Sequence, residues 1–185
     1  ENVIWDLSVF YSGADDPAIQ RDMEQVLAMA DKFAADYRGR VAQLDAEEMV
    51  DAMKAIEAIN DFAGRISSFA FLLYTTDTNN PQYGALVQKI TEYNSLLQQK
   101  TLFFDLEWKA VDDAQAQKLL ADPTLGKYRH PLEADLRYKP HMLSEAEEQI
   151  LVEKSVTGRE AWNRFFTQVM SALRYEYEGE QLTQS

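Results

Sequence analysis

The chain has 185 residues, of which 46% are hydrophobic and 26% charged, and its formal net charge is −13. This composition is typical of a globular protein, and its acidity disfavours binding to the phosphates of nucleic acid or to an anionic membrane surface. The chain has no cysteine, which excludes a disulfide scaffold and a thiolate metal site. The longest apolar run, residues 69–74, is far shorter than the roughly 20 residues that span a bilayer. We therefore expect neither nucleic acid nor a membrane among the partners of this protein.

Helix-start and helix-stop signals predict two long helices in the first half of the chain. Asp16 suits the N-cap of the first helix and Pro17 its first position, and Gly39 closes it. Asp45 begins the second helix, and Glu48 completes a capping box with it. Apolar residues recur along both segments at three- and four-residue steps, so each helix is predicted to bury one stripe.

Turn-forming residues at positions 77–81 end the second helix and precede a third, which is predicted to run to about residue 108. The apolar stripes of the second and third helices predict that the two pack as an antiparallel pair. Ser144 and Thr157 are predicted N-caps of later helices, each with a glutamate three residues further on. The shorter helices are expected at about residues 113–121, 125–138, 144–153 and 157–173.

The C-terminal tail has a different pattern. Residues 174–177 alternate with period two, Glu178 and Gly179 form a turn, and residues 180–183 are predicted to return as a second strand. A lone hairpin is barely stable in water. We therefore interpret the tail as an element cut from a larger partner.

These elements together predict an all-α fold. It consists of an antiparallel long-helix hairpin plus shorter helices, with a small β-hairpin at the C-terminal end. We divide it into a long-helix region, residues 1–110, and a shorter-helix region, residues 111–185, whose hairpin leads towards that larger partner.

Groups that could carry catalysis are few. Adjacent acidic pairs lie at predicted helix starts, where carboxylates complement the helix dipole, so we interpret them as caps. The pairs are residues 15–16, 47–48, 112–113 and 147–148. The two histidines, His130 and His141, are 11 positions apart (141 − 130) and lack the spacing and the further ligands of a zinc site. We assign no catalytic and no metal-binding residue to the chain.

Two neighbouring segments carry a resemblance to a known family. Residues 128–133 read Tyr-Arg-His-Pro-Leu-Glu, and residues 137–145 read Arg-Tyr-Lys-Pro-His-Met-Leu-Ser-Glu. With the other matching segments, they resemble the N-terminal region of the oligoendopeptidase F family of zinc metallopeptidases, which are thimet-oligopeptidase-like. The other segments are residues 5–8, 10–11, 37–39, 64–65, 77–78, 103–107, 119–123 and 157–162, and Pro81.

The resemblance implies a helical N-terminal part of a cytoplasmic bacterial enzyme that hydrolyses short peptides. In that family these helices form one wall of a deep channel, and the catalytic domain forms the other. The zinc lies on a helix with the motif His-Glu-x-x-His, whose glutamate activates water. That motif does not occur in residues 1–185 and would lie beyond Ser185, so the resemblance implies zinc for the intact enzyme and none for this part.

Aromatic residues are denser than one core stripe needs, and adjacent pairs cannot point the same way on a helix. We therefore predict that some of them contact the enzyme's own catalytic domain and promote self-association of the chain when that domain is absent. The candidate residues are Trp5, Phe103, Trp162, Phe165, Tyr175 and Tyr177.

A second hypothesis remains open, in which the chain is a free-standing helical interaction module without enzymatic activity. The length of the gene's reading frame, and whether a His-Glu-x-x-His motif follows, would separate the two hypotheses.

We predict that purified residues 1–185 hold no stoichiometric zinc. Two separated histidines and no cysteine fall short of the three protein ligands that a catalytic zinc takes. Elemental analysis after gel filtration measures the metal content. One tightly bound zinc per chain, lost in His130→Ala or His141→Ala, would contradict this prediction.

Overall fold

The computed structural model describes residues 6–182 of the chain. Within these residues there are seven α-helices and one antiparallel β-hairpin, so the predicted all-α class with a small C-terminal hairpin is confirmed. The long helices are α1 (Pro17–Tyr37), α2 (Ala46–Thr76) and α3 (Pro81–Ala110). The short helices are α4 (Asp113–Leu120), α5 (Arg129–Leu136), α6 (Glu145–Thr157) and α7 (Arg159–Ala172). The strands are β1 (Tyr175–Tyr177) and β2 (Glu180–Leu182).

The first two long helices begin at the predicted caps. The Asp16 carboxylate accepts a hydrogen bond from the Ala18 amide at 2.8 Å, and Asp45 and Glu48 form the predicted capping box. Asn80 caps α3 by accepting from the Gln82 amide at 3.0 Å. These contacts satisfy backbone donors that a helix start otherwise leaves without an intrahelical partner.

The hydrophobic core lies where the three long helices meet. Phe33 of α1 packs between Phe103 and Phe104 of α3, with ring centroids 5.6 and 5.3 Å away. The core continues past the predicted boundary at residue 110, because residues 111–132 contribute five apolar side chains and Tyr128 to the same cluster. The apolar residues are Val111, Ala116, Leu120, Leu125 and Leu132. The division at residue 110 stays a prediction, but one continuous core crosses it.

Trp108 at the end of α3 anchors the shorter helices. Its side chain is only 1% exposed, and its indole N–H donates to the Leu132 carbonyl at 2.9 Å. A buried indole needs such an acceptor, since an unpaired polar group inside a core is costly. The contact therefore places α5 against the end of α3.

The loop after α1 is held by Glu107 of α3. Its carboxylate accepts from the Gly39 amide at 2.8 and 2.9 Å and from the Val41 amide at 3.4 Å. Gly39 has φ of 77°, which a residue with a side chain rarely adopts. Beside it, the Arg38 guanidinium lies 4.5 Å from the Phe103 ring centroid and pairs with Glu145 at 2.8 Å. This group of contacts joins the end of α1 to α3 and to the start of α6.

The predicted helix at residues 125–138 is interrupted. A 3-10 helix (Pro123–Tyr128) precedes α5, and a second one (Lys139–His141) follows it. Gly126 has φ of 52°, in the left-handed region, so a continuous right-handed helix cannot pass through it. The prediction of a single helix here was wrong, because the left-handed conformation of Gly126 interrupts the helical backbone.

One of the two later capping boxes was also predicted wrongly. Ser144 and Glu147 form the expected box, but α6 continues through Thr157 and breaks at Gly158. A β-carbon on Gly158 would lie 2.8 Å from the Lys154 carbonyl oxygen, so this break requires glycine. Glu160 instead accepts from the Arg159 guanidinium at 2.8 Å.

We predict that Glu107→Ala lowers the free energy of unfolding by about 1–2 kcal/mol, because two loop amides lose a charged acceptor. Glu92→Ala is the matched control on the same helix: the exposed Glu92 carboxylate accepts from Gln88 one turn away, and its loss should cost about 0.5 kcal/mol or less. Urea denaturation measures both variants. Equal effects of the two substitutions would show that Glu107 does not hold the loop.

Candidate functional site

The most exposed apolar surface of a helix lies on α7, which has no buried residue. Trp162, Phe165 and Phe166 are 69%, 55% and 65% exposed. Val169 and Leu173 continue the same stripe at helical spacing and are also exposed. We call these five residues the α7 face. Exposed apolar patches of this kind commonly mark an interaction surface.

The break at Gly158 separates α7 from the packing of α6. Val152 of α6 is buried, and its carbonyl accepts from the Ser95 hydroxyl of α3 at 3.3 Å. After the break, the Arg164 guanidinium donates to the Gln88 side chain of α3. Thus α6 packs through an apolar residue, whereas the contact of α7 with α3 is polar and leaves the α7 face uncovered.

The β-hairpin follows directly and is also exposed. Glu178 and Gly179 both have positive φ, 53° and 83°. A two-residue hairpin turn needs such angles for its twist to match the right-handed twist of the strands. Tyr175 lies opposite Leu182, and Tyr175 and Tyr177 are 48% and 63% exposed. The sheet has two strands, so within residues 6–182 each strand has one edge without a neighbour.

The predicted interface residues fall into three groups. Trp162, Phe165, Tyr175 and Tyr177 are exposed on adjoining elements at the C-terminal end, and their contact with a catalytic domain stays a prediction. Phe103 is 1% exposed, so its prediction as an interface residue was wrong. Trp5 lies outside the described residues.

The error at Phe103 has a structural cause. Phe33 of α1 packs on Phe103, and the Arg38 guanidinium covers the same ring. The residues that sequence reasoning missed are Phe166, Val169 and Leu173. Their steps of three and four from Trp162 are the signal that could have identified them.

The histidines do not form a metal site. His130 lies in the first turn of α5 and His141 at the end of the second 3-10 helix, and both are exposed. In residues 6–182, no three His, Cys, Asp or Glu side chains are arranged to hold a metal ion. The family resemblance implies zinc for the intact enzyme only, and no described residue is assigned to it. Also in this range, every helix is too short or too polar to cross a bilayer.

The α7 face lies within the segment of the chain that matches a known protein family. A family model described as Oligopeptidase F matches residues 107–175, from the end of α3 through α7 into β1. The chain is similar to the N-terminal region of oligoendopeptidase F peptidases. The resemblance predicted from the sequence is thereby confirmed.

Two individual proteins agree with this relationship. Oligopeptidase PepF from Bacillus subtilis (strain 168) is 26% identical over 130 residues, which are 70% of this chain and 19% of that protein. A crystal structure from Chlamydophila abortus, whose protein carries a provisional peptidase assignment, superposes with a TM-score of 0.60. The superposition covers 97% of this chain and 31% of that one at 19% identity, so it establishes similarity of fold. The chain thus spans about a fifth of the length of the curated relative.

Proposed function

We propose that the chain is the N-terminal helical region of a cytoplasmic zinc oligoendopeptidase that hydrolyses short peptides. The observation that carries this proposal is the Oligopeptidase F match over residues 107–175, and the similarity of fold to a larger chain supports it. In this proposal, α1–α7 form one wall of a channel that admits short peptides and excludes folded proteins. The catalytic domain forms the other wall.

The proposed contribution of this chain is shape and packing. Within residues 6–182 no side-chain group suits a zinc ion, so the metal and the residues around it would belong to the catalytic domain. That domain would supply the Lewis acid and the activated water of a metallopeptidase. The residues of this chain would restrict which peptides reach them.

The α7 face is the proposed contact with the catalytic domain. Its three aromatic rings are each more than half exposed, and covering apolar surface contributes about 25 cal/mol per Å². Large aromatic side chains bury roughly 150–250 Å² each when fully covered, so this contact would contribute on the order of several kcal/mol. In a chain that lacks the contact, the α7 face and the hairpin edge would promote self-association instead.

A free-standing interaction module is the second candidate, because an exposed apolar helix face would serve a separate protein partner equally well. The reading frame separates the two. A continuation with a His-Glu-x-x-His motif supports the peptidase proposal, whereas its absence supports the module.

We predict that residues 1–185 alone do not cleave fluorogenic oligopeptides, with or without a chelator, because residues 6–182 contain no side-chain group that could hold the water-activating metal ion of a metallopeptidase. The longer polypeptide of the same reading frame should cleave them, and its turnover should be lost on zinc removal. The expected rate for residues 1–185 is that of buffer. Turnover by residues 1–185 that a chelator abolishes would contradict the proposal.

We predict concentration-dependent dimers of residues 1–185 in analytical ultracentrifugation. Trp162→Ser and Tyr175→Ser should weaken the dimer, since they remove apolar area from the α7 face and the hairpin. Phe71→Ser is the matched control, because Phe71 is 61% exposed but lies on α2. A strictly monomeric chain at high concentration, or equal weakening by Phe71→Ser, would leave the α7 face without a role in self-association.

A further inference from the structure

A cleft lies where α2, α3 and α5 meet, and no residue of the α7 face lines it. It consists of two adjoining cavities of about 340 and 320 Å³ that share Met53, Ile56 and Asn60 of α2. On the α5 side, Asp135 lines the first cavity, and Pro131, one helical turn earlier, lines the second. We call this feature the α2–α5 cleft. Each cavity is near the lower end of the range of ligand pockets, roughly 300–1,000 Å³, and suits one or two side chains.

The α2–α5 cleft combines apolar walls with a rim of carboxylates. Met53, Ile56, Leu102, Phe104 and Trp108 supply the apolar surface. The rim carboxylates are Glu57, Asp61, Asp105 and Asp135. A ligand that fits both parts has an apolar group next to a cationic one.

Two of the four carboxylates already have a cationic partner. The Lys127 ammonium lies 2.7 and 2.9 Å from the Glu57 carboxylate oxygens, and the Lys109 ammonium lies 2.6 Å from Asp105. The ion pairs found within residues 6–182 include neither Asp61 nor Asp135. The rim therefore has two negative charges more than its paired lysines neutralise (4 − 2).

Asp135 is the carboxylate that would gain most from a cation. Burial raises the pKa of its carboxyl, the charge of Asp105 raises it further, and Lys109 only partly offsets both effects. Burial disfavours the charged form because water no longer solvates it fully. A cation in the cleft would replace that lost solvation.

We propose that the α2–α5 cleft binds a peptide segment that presents a guanidinium or ammonium group to Asp135 and an adjacent apolar side chain to Met53 and Ile56. A guanidinium can form two parallel hydrogen bonds with one carboxylate, so arginine is the preferred cationic residue. The apolar neighbour covers the ion pair and removes it from water. This inference names a peptide class for the proposed peptidase. The binding itself does not depend on that function, but the interpretation of the bound peptide as a substrate rests on it.

Binding to the whole 185-residue chain tests the inference without measuring turnover. The probe is a blocked pentapeptide of sequence glycine-leucine-arginine-leucine-glycine, and its control carries the neutral isostere citrulline in place of arginine. NMR titration of the ¹⁵N-labelled chain should show the largest shifts at α2 and α5. The arginine peptide should bind about five- to tenfold more tightly than the citrulline peptide, as a partly desolvated ion pair predicts.

Two variants locate the contact. Asp135→Asn should remove the preference for arginine, whereas Glu133→Gln should preserve it, since Glu133 is exposed on the same helix and lines neither cavity. The arginine peptide should also lower the titration midpoint of the Asp135 carboxyl carbon. Equal affinity for the two peptides, an unchanged preference in Asp135→Asn, or an unchanged midpoint would overturn the inference.

The outcomes of this test and of the peptidase test are separate. A failure here would leave the reading-frame test of the peptidase proposal unaffected. Conversely, a reading frame without a catalytic domain would leave the measured peptide binding in place, as the property of an interaction module.

Discussion

The packing of α1 on α3 is the interaction on which the rest of the structure depends. Phe33 contacts both Phe103 and Phe104, in the C-terminal third of α3. At the C-terminal end of α3, Glu107 holds the loop after α1, and Trp108 holds α5 through the Leu132 carbonyl. Of the shorter helices, α5 and α6 pack on α3, whereas α4 packs on α5 and α7 packs on α6. The position of α3 therefore affects the cleft directly and α7 only through α6.

The elements that local chemistry determines could be predicted from the sequence. Asp16, Asp45 and Ser144 cap helices because their own side chains reach amides two or three residues away, so no tertiary information is needed. Phe103 could not be placed in this way. Its burial depends on α1 and Arg38 covering the second side of α3, which is a contact between segments far apart in the chain. Gly158 differs from Phe103, because the carbonyl that a β-carbon would approach belongs to Lys154, four residues earlier in the chain (158 − 154).

The sequence indicated some residues of the α7 face but did not indicate the α2–α5 cleft. Trp162 and Phe165 are exposed, on a helix whose separation from α6 the sequence predicts, but the absence of a covering neighbour for this stripe depends on how α7 packs within residues 6–182. The α2–α5 cleft gave no sequence signal, since its residues come from α2, α3, α5 and the 3-10 helix before α5 and are far apart in the chain. Its acidic rim lies on residues whose spacing alone indicates a solvated helix surface. Two surfaces of different character thus lie on one helical scaffold, one apolar and one acidic.

The central claim is that the α7 face packs against a catalytic domain of the same protein. Hydrogen–deuterium exchange tests it most directly, by comparing residues 1–185 with the longer polypeptide of the same reading frame. If the α7 face packs against that domain, we expect much slower exchange of the α7 and hairpin amides in the longer polypeptide, with little change in α1 and α2. Unchanged exchange across residues 159–182, or slowing spread evenly over all helices, would contradict it.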